Sequence, residues 1–228
     1  MKLHGYSPAR RSIVRACTLL LVVVTVIDMG LGSIAYASTS LTVKVSNGGD
    51  YSATARSVTL TDTSFGDVTW TCSTAGSKPA SRINGTLTSG THTGNSPVTI
   101  GTVSGWTFNN CDGPGGPFVQ FRLRSLPYNI AADSTTNGSG KTDLIISGIN
   151  AFIEWAGCQF TLTGSAAGYY TNSNHMLTLS SKPPTAPLNK AQLTVKKVSG
   201  CAGLPSNGHH LTIESAYPLS IPVKISSS

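Results

Sequence analysis

Leu41, Val43 and Val45 alternate with Thr42 and Lys44, and Val119, Phe121 and Leu123 alternate with Gln120, Arg122 and Arg124. A period of two puts successive side chains on opposite faces of an extended chain, so both segments read as half-buried strands. The same pattern, or a short apolar run bounded by turn residues, predicts strands over 57–63, 68–72, 98–103, 144–153, 160–163, 176–179, 191–198 and 211–215. The segment 219–225 alternates as strictly, but Pro222 cannot donate a ladder hydrogen bond and belongs on an edge or beside a bulge. Beyond residue 37 no stretch keeps helical periodicity between caps. About ten short strands, separated by Gly, Asn, Ser and Pro clusters, predict an all-β fold: an antiparallel β-sandwich or flattened barrel.

The first 37 residues break this pattern. Lys2, Arg10, Arg11 and Arg15 precede an apolar run from Cys17 to Ile27, and Ala35-Tyr36-Ala37 is a small-residue cleavage site. This is the layout of a signal peptide, with cleavage expected after Ala37. The run stops at Asp28, Gly30 and Gly32, short of the roughly 20 apolar residues that cross a bilayer. The processed chain is therefore expected to have no membrane span and to be secreted, either extracellular or associated with the cell envelope. Arg10-Arg11-Ser12-Ile13-Val14 is twin-arginine-like, but Ala9 and the strongly apolar segment favour the general secretory route.

Removing residues 1–37 takes four of the 16 Lys and Arg and one of the 9 Asp and Glu, leaving a net charge of about +4. That charge is small and scattered, whereas nucleic-acid binding needs clustered cations to neutralise several phosphates at once, so nucleic acid is not an expected partner. Charged residues make up 11% of the chain against about 25% in a typical soluble protein, and Ser, Thr and Gly take their place at the surface. Such a surface suits an extracellular β-protein, for which a cell-envelope polymer or a glycan is the expected partner class. Lys44, Arg122, Arg124, Lys196 and Lys224 form either a basic outer face or a set of charges that protect strand edges, and the second reading is preferred.

Four cysteines remain after processing: Cys72, Cys111, Cys158 and Cys201. An even number in an exported chain favours two disulfides. Of three connectivities, Cys72–Cys111 with Cys158–Cys201 is preferred because the pairs fall in corresponding halves. With no C-x-x-C pair and no histidine at ligand spacing from a cysteine, neither a metal nor another cofactor is expected. Val103-Ser104-Gly105 before Cys111 and Val198-Ser199-Gly200 before Cys201 hint at duplication, but the spacers differ and no Pro-rich linker separates the halves. Residues 38–228 are therefore read as a single domain, with 182–187, Lys-Pro-Pro-Thr-Ala-Pro, as a surface loop.

Several motifs invite a chemical reading. Gly140-Lys141-Thr142 ends like a phosphate-binding loop, but position 135 is Thr where that loop needs Gly, and a strand follows, so Asn137-Gly138 is read as a turn between strands. Glu154 and Glu214 are the two acids that fall within strands, and they are the pair to check for glycoside hydrolysis; solvated strand faces explain them more simply. Asp62 and the other acids sit in turn-like contexts. His209 and His210 point to opposite faces of a strand, and no serine lies in a G-x-S-x-G elbow. No catalytic set emerges, and the chain is not read as an enzyme. Trp70 and Trp155 share strand parity with apolar neighbours and are assigned to the core. Trp106, flanked by Gly105 and Asn109-Asn110, and the pair Tyr169-Tyr170 are the candidate exposed aromatics. Trp106 and Asp112, beside Gly113-Pro114-Gly115-Gly116, are the candidate ligand-binding residues: an indole for stacking on a sugar ring and a carboxylate for its hydroxyls.

The succession "SVTLTDT", "VSGWTFNNCDGP", "LPYNI", "SGINAFIEWAGCQFTLTG" and "LTVKKVSGCAGLPSNGHHLTIESAY" resembles a group of secreted actinobacterial all-β proteins. The resemblance spans nearly the whole processed chain and all four cysteines. It implies export and a β-fold, and because the shared motifs are structural it carries over no functional residue. The expected role is an exported, non-enzymatic envelope or extracellular interaction protein, with a carbohydrate-binding module and a glycoside hydrolase as alternatives.

Overall fold

The computed structural model describes residues 40–65, 68–134, 136–180, 191–202 and 205–228. The expected signal segment and the 182–187 loop lie outside them. The described residues form one compact unit, all strand and turn. In chain order the strands are β1 (Ser40–Ser46), β2 (Gly49–Ala55), β3 (Ser57–Asp62), β4 (Val68–Ser73), β5 (Ser81–Leu87), β6 (Gly90–Asn95), β7 (Val98–Phe108), β8 (Cys111–Gly113) and β9 (Gly116–Pro117). They continue with β10 (Gln120–Leu123), β11 (Tyr128–Ala132), β12 (Lys141–Trp155), β13 (Cys158–Thr171), β14 (Met176–Leu179), β15 (Leu193–Ser199), β16 (His210–Pro218) and β17 (Lys224–Ser227).

The main sheet runs β2-β5-β7-β11-β12-β13-β14-β16-β3-β4-β8-β9, with β10 paired to β12, and β15 to β13 and β16. Just past β16, Leu219 bridges Ala53, and the Ser220 amide donates to the Ser52 carbonyl at 3.0 Å. The path from β2 to β16 thus returns to its own first strand, as in a flattened barrel, while β3, β4, β8 and β9 extend it as a flap. A smaller sheet, β17-β1-β6, forms a second layer.

The longest hairpin organises the ring. β12 and β13 pair from Lys141↔Thr171 to Trp155↔Cys158. They are joined by Ala156 and Gly157, both at positive φ (49° and 82°), the two-residue geometry whose twist matches that of the flanking strands. Between Ser147 and Ile149 the register slips at Gly148, φ 82°, and this bulge lets one long strand pair first with β11 and then with β10.

Inward side chains form one apolar cluster. Both preferred disulfides are present: Cys72–Cys111 joins directly opposed residues of β4 and β8, and Cys158–Cys201 ties the start of β13 to the chain after β15. Trp70 lies at 5.9 Å from Trp155 in an edge-to-face pair and at 5.8 Å from Phe160, so the core assignment of Trp70 and Trp155 holds. The last alternating segment departs from its pattern. Only Lys224–Ser227 forms a strand, because between Leu219 and Lys224 the chain leaves the main sheet for the small one. β17 is an edge in pairing order, but side chains cover its other side: Tyr170 donates to the Val223 carbonyl at 2.7 Å, and Asn172 bonds both the amide and the carbonyl of Ile225.

Four tyrosine hydroxyls are enclosed by this architecture. Tyr51 donates to Thr102 O, Tyr128 to Arg124 O and Asn150 O, Tyr170 to Val223 O, and Tyr217 to Ser81 Oγ. Burial pushes all four phenols above their ordinary titration range. The folded state therefore holds these protons more tightly than the unfolded chain. Stability is full below about pH 10 and falls as pH rises above it, by up to about 1.4 kcal/mol per pH unit for each phenol. In a titration followed at 295 nm alongside circular dichroism, these four residues are expected to ionise together with unfolding; smooth ionisation of all tyrosines before loss of structure would contradict their enclosure.

Candidate functional site

Trp106 is not the exposed platform expected from its flanking residues. It is 5% exposed, because on β7 it lies opposite Ile83 with its side chain turned into the core. Its indole N–H is directed at both Ser81 Oγ and the Tyr217 hydroxyl, each at 3.1 Å, and its ring packs on Phe108 and Tyr217. A buried indole with its polar edge satisfied has no face left for a sugar, so its candidate binding role is withdrawn. Asp112 is exposed as expected, but its surroundings are not a long loop. Residues 111–117 form the β8–β9 hairpin, with Asp112 facing Pro117 and Thr71 across the two ladders. The neighbouring asparagines serve the fold: Asn109 donates to Pro79 O and Asn110 to Ser73 Oγ. A Cβ on Gly113 would stand 3.0 Å from Trp70 and 3.2 Å from Trp155, so this glycine is there for close packing of the two indoles.

The Gly-Lys-Thr stretch is structural, as expected. Asn137 Oδ1 accepts the amides of Ser139 and Lys141, turning the chain into β12, and Thr142 is buried. The two strand glutamates are handled separately. Glu154 accepts from Gln159 at 3.3 Å and lies 3.8 Å from Arg122 at the end of β12. Glu214 lines a groove on β16 whose described lining does not include Glu154. Of the tyrosine pair, Tyr170 is core, whereas Tyr169 is half-buried on the outer face with the Lys141 ammonium 4.8 Å from its ring centroid.

That groove is a broad concavity of about 810 Å³, within the range of ligand clefts. It lies on the outer face where β14, β16 and β3 run side by side, with the end of β2 along one flank. Its walls carry Thr54, Ser57, Thr59, Thr178 and Ser180 hydroxyls, the small apolar surfaces of Met176, Ala216 and Pro218, the Arg56 guanidinium and the Glu214 carboxylate. Strand parity explains this composition. Leu177, Leu179, Ile213, Tyr217, Val58 and Leu60 are turned into the core, so the residues between them line the outer face.

A second cluster was invisible in the sequence as read. Asp62 is fully buried, and its Oδ2 accepts from His209 Nδ1 at 2.6 Å while Oδ1 accepts from the Ser64 amide at 2.9 Å. Phe65, 55% exposed, stacks on the imidazole with centroids 6.4 Å apart. His210 turns elsewhere, toward Thr194 Oγ1. A signal did exist: in Val58-Thr59-Leu60-Thr61-Asp62 the aspartate occupies the inward parity of Val58 and Leu60, where a carboxylate must have a partner. Among the described residues no group of three potential metal ligands comes together, and no helix is long and apolar enough to cross a membrane.

No protein-family model, no curated protein and no solved structure matches the chain.

Proposed function

We propose that this protein is an exported, non-enzymatic interaction protein of the cell envelope or extracellular space that uses the β14–β16–β3 groove as its recognition face. The observation that carries this reading is the groove itself. It is a wide concavity of hydroxyls and small apolar surfaces, built on strands rather than on mobile loops. A surface of that kind is held in place by the core beneath it, so binding costs little ordering entropy. Two disulfides support the same reading, since they persist in the oxidising conditions outside the cytosol.

The test is binding of the labelled, processed protein to sacculi and to membrane vesicles from the producing cells. Wild type is expected to sediment with one of these fractions. Ala216→Arg, which fills the middle of the groove from an exposed strand position, is expected to reduce that binding at least tenfold with an unchanged melting temperature. Equal binding by the two proteins would remove the groove from the function.

A further inference from the structure

The sheet register places an aromatic ring beside the groove. Tyr169 on β13 stands opposite Thr178 on β14, Thr178 opposite Ala216 on β16, and two residues back along β16 Glu214 stands opposite Thr59 on β3. All of these residues occupy outward positions, between the buried neighbours Tyr170, Leu177, Leu179, Tyr217 and Leu60. With neighbouring strands about 4.8 Å apart, the row from β13 to β3 spans roughly 14 Å, the reach of several linked rings rather than of one. One end of that row is the half-buried Tyr169 ring, braced by the Lys141 ammonium at 4.8 Å.

We propose that this row, Tyr169 together with the hydroxyl-lined groove, is a binding site for a neutral glycan chain; the proposal rests on the groove being the recognition face. The chemistry of each part fits such a chain. A pyranose presents an apolar C–H face, which an aromatic ring and the Ala216, Met176 and Pro218 surfaces can cover. Its rim of hydroxyls both donates and accepts, matched by Thr59, Thr178 and Ser57, which do the same. Arg56 and Glu214 add a fork of donors and a pair of acceptors whose charges cancel within the groove, and the Lys141 ammonium over the Tyr169 ring adds a single cation, too few among the described residues to select an anionic polymer. An extended peptide would seek unpaired backbone groups at a sheet edge, whereas β14 and β16 both lie inside the sheet and are paired on each side.

Binding is measured by calorimetry with neutral hexasaccharides of the cello, chito, xylo and malto series. At least one is expected to bind wild type saturably. Tyr169→Ala is expected to weaken it at least tenfold, Tyr169→Phe to leave it within about threefold because the stacking face remains, and Ala216→Arg to abolish it. Thermal melting of each variant checks the fold, and Ala216→Arg decides the matter if Tyr169→Ala does not fold. Absence of binding to all four series, or binding unchanged in both Tyr169→Ala and Ala216→Arg, overturns the proposal. If envelope binding is still blocked by Ala216→Arg in that case, the recognition face stands and only the glycan assignment falls.

Discussion

Replacing Trp106 by alanine is expected to cost the fold roughly 3–5 kcal/mol, the range for truncating a large buried aromatic. The ring is 5% exposed and packs on Phe108 and Tyr217, so its removal leaves a cavity that strands on all sides cannot collapse to fill. Ser81 Oγ and the Tyr217 hydroxyl lose the indole donor, although they keep their mutual bond at 2.9 Å. For a domain of this size the melting temperature should fall by roughly 6–20 °C. Trp106→Phe, which keeps most of the volume, should cost markedly less. A Trp106→Ala variant that melts like wild type would mean that the ring is not part of the core and would restore it as a candidate surface for ligand.

Replacing His209 by alanine is expected to destabilise by about 3 kcal/mol, although the residue is near the surface. The reason lies in its partner: Asp62 is fully buried, and without the imidazole the Ser64 amide is the one partner left to its carboxylate among the described residues. Removing one member of a buried pair costs more than the pair contributes, because the other is left behind. His209→Gln, which retains an N–H donor, should recover part of the loss. Asp62→Asn combined with His209→Ala should be less damaging than the sum of the two changes, since no buried charge remains. Denaturant unfolding of the four proteins measures the coupling, and additive losses would show that the 2.6 Å contact contributes nothing.

How much was legible in the sequence depended on what pointed inward. β1, β3, β4 and β14 were readable because Val, Leu and Trp alternate there with Thr, Ser and Lys. β2 and β5 were missed although their burial alternates as strictly. Their inward positions are Tyr51, Ala53 and Ala55 in one, and Ser81, Ile83, Gly85 and Leu87 in the other. Small inward residues give no hydropathy contrast. Gly85 is small because β7 comes close: a Cβ there would collide with the Thr102 carbonyl. That constraint belongs to the neighbouring strand and leaves no trace in the local pattern.

By itself the sequence determined the all-β class, the disulfide framework, the core role of Trp70 and Trp155 and the turn role of Asn137-Gly138, because each follows from local periodicity, cysteine parity or turn stereochemistry. Tertiary structure alone decided that Trp106 is inside, that Asp62 and His209, 147 positions apart, meet, and that the outward residues of β14, β16 and β3 form one groove with Tyr169 at its side. The physical reason is strand pairing between distant segments. A strand's own alternation says which residues share a face, but which strand lies beside it, in what register, and whether something covers that face are settled by contacts the local sequence does not contain.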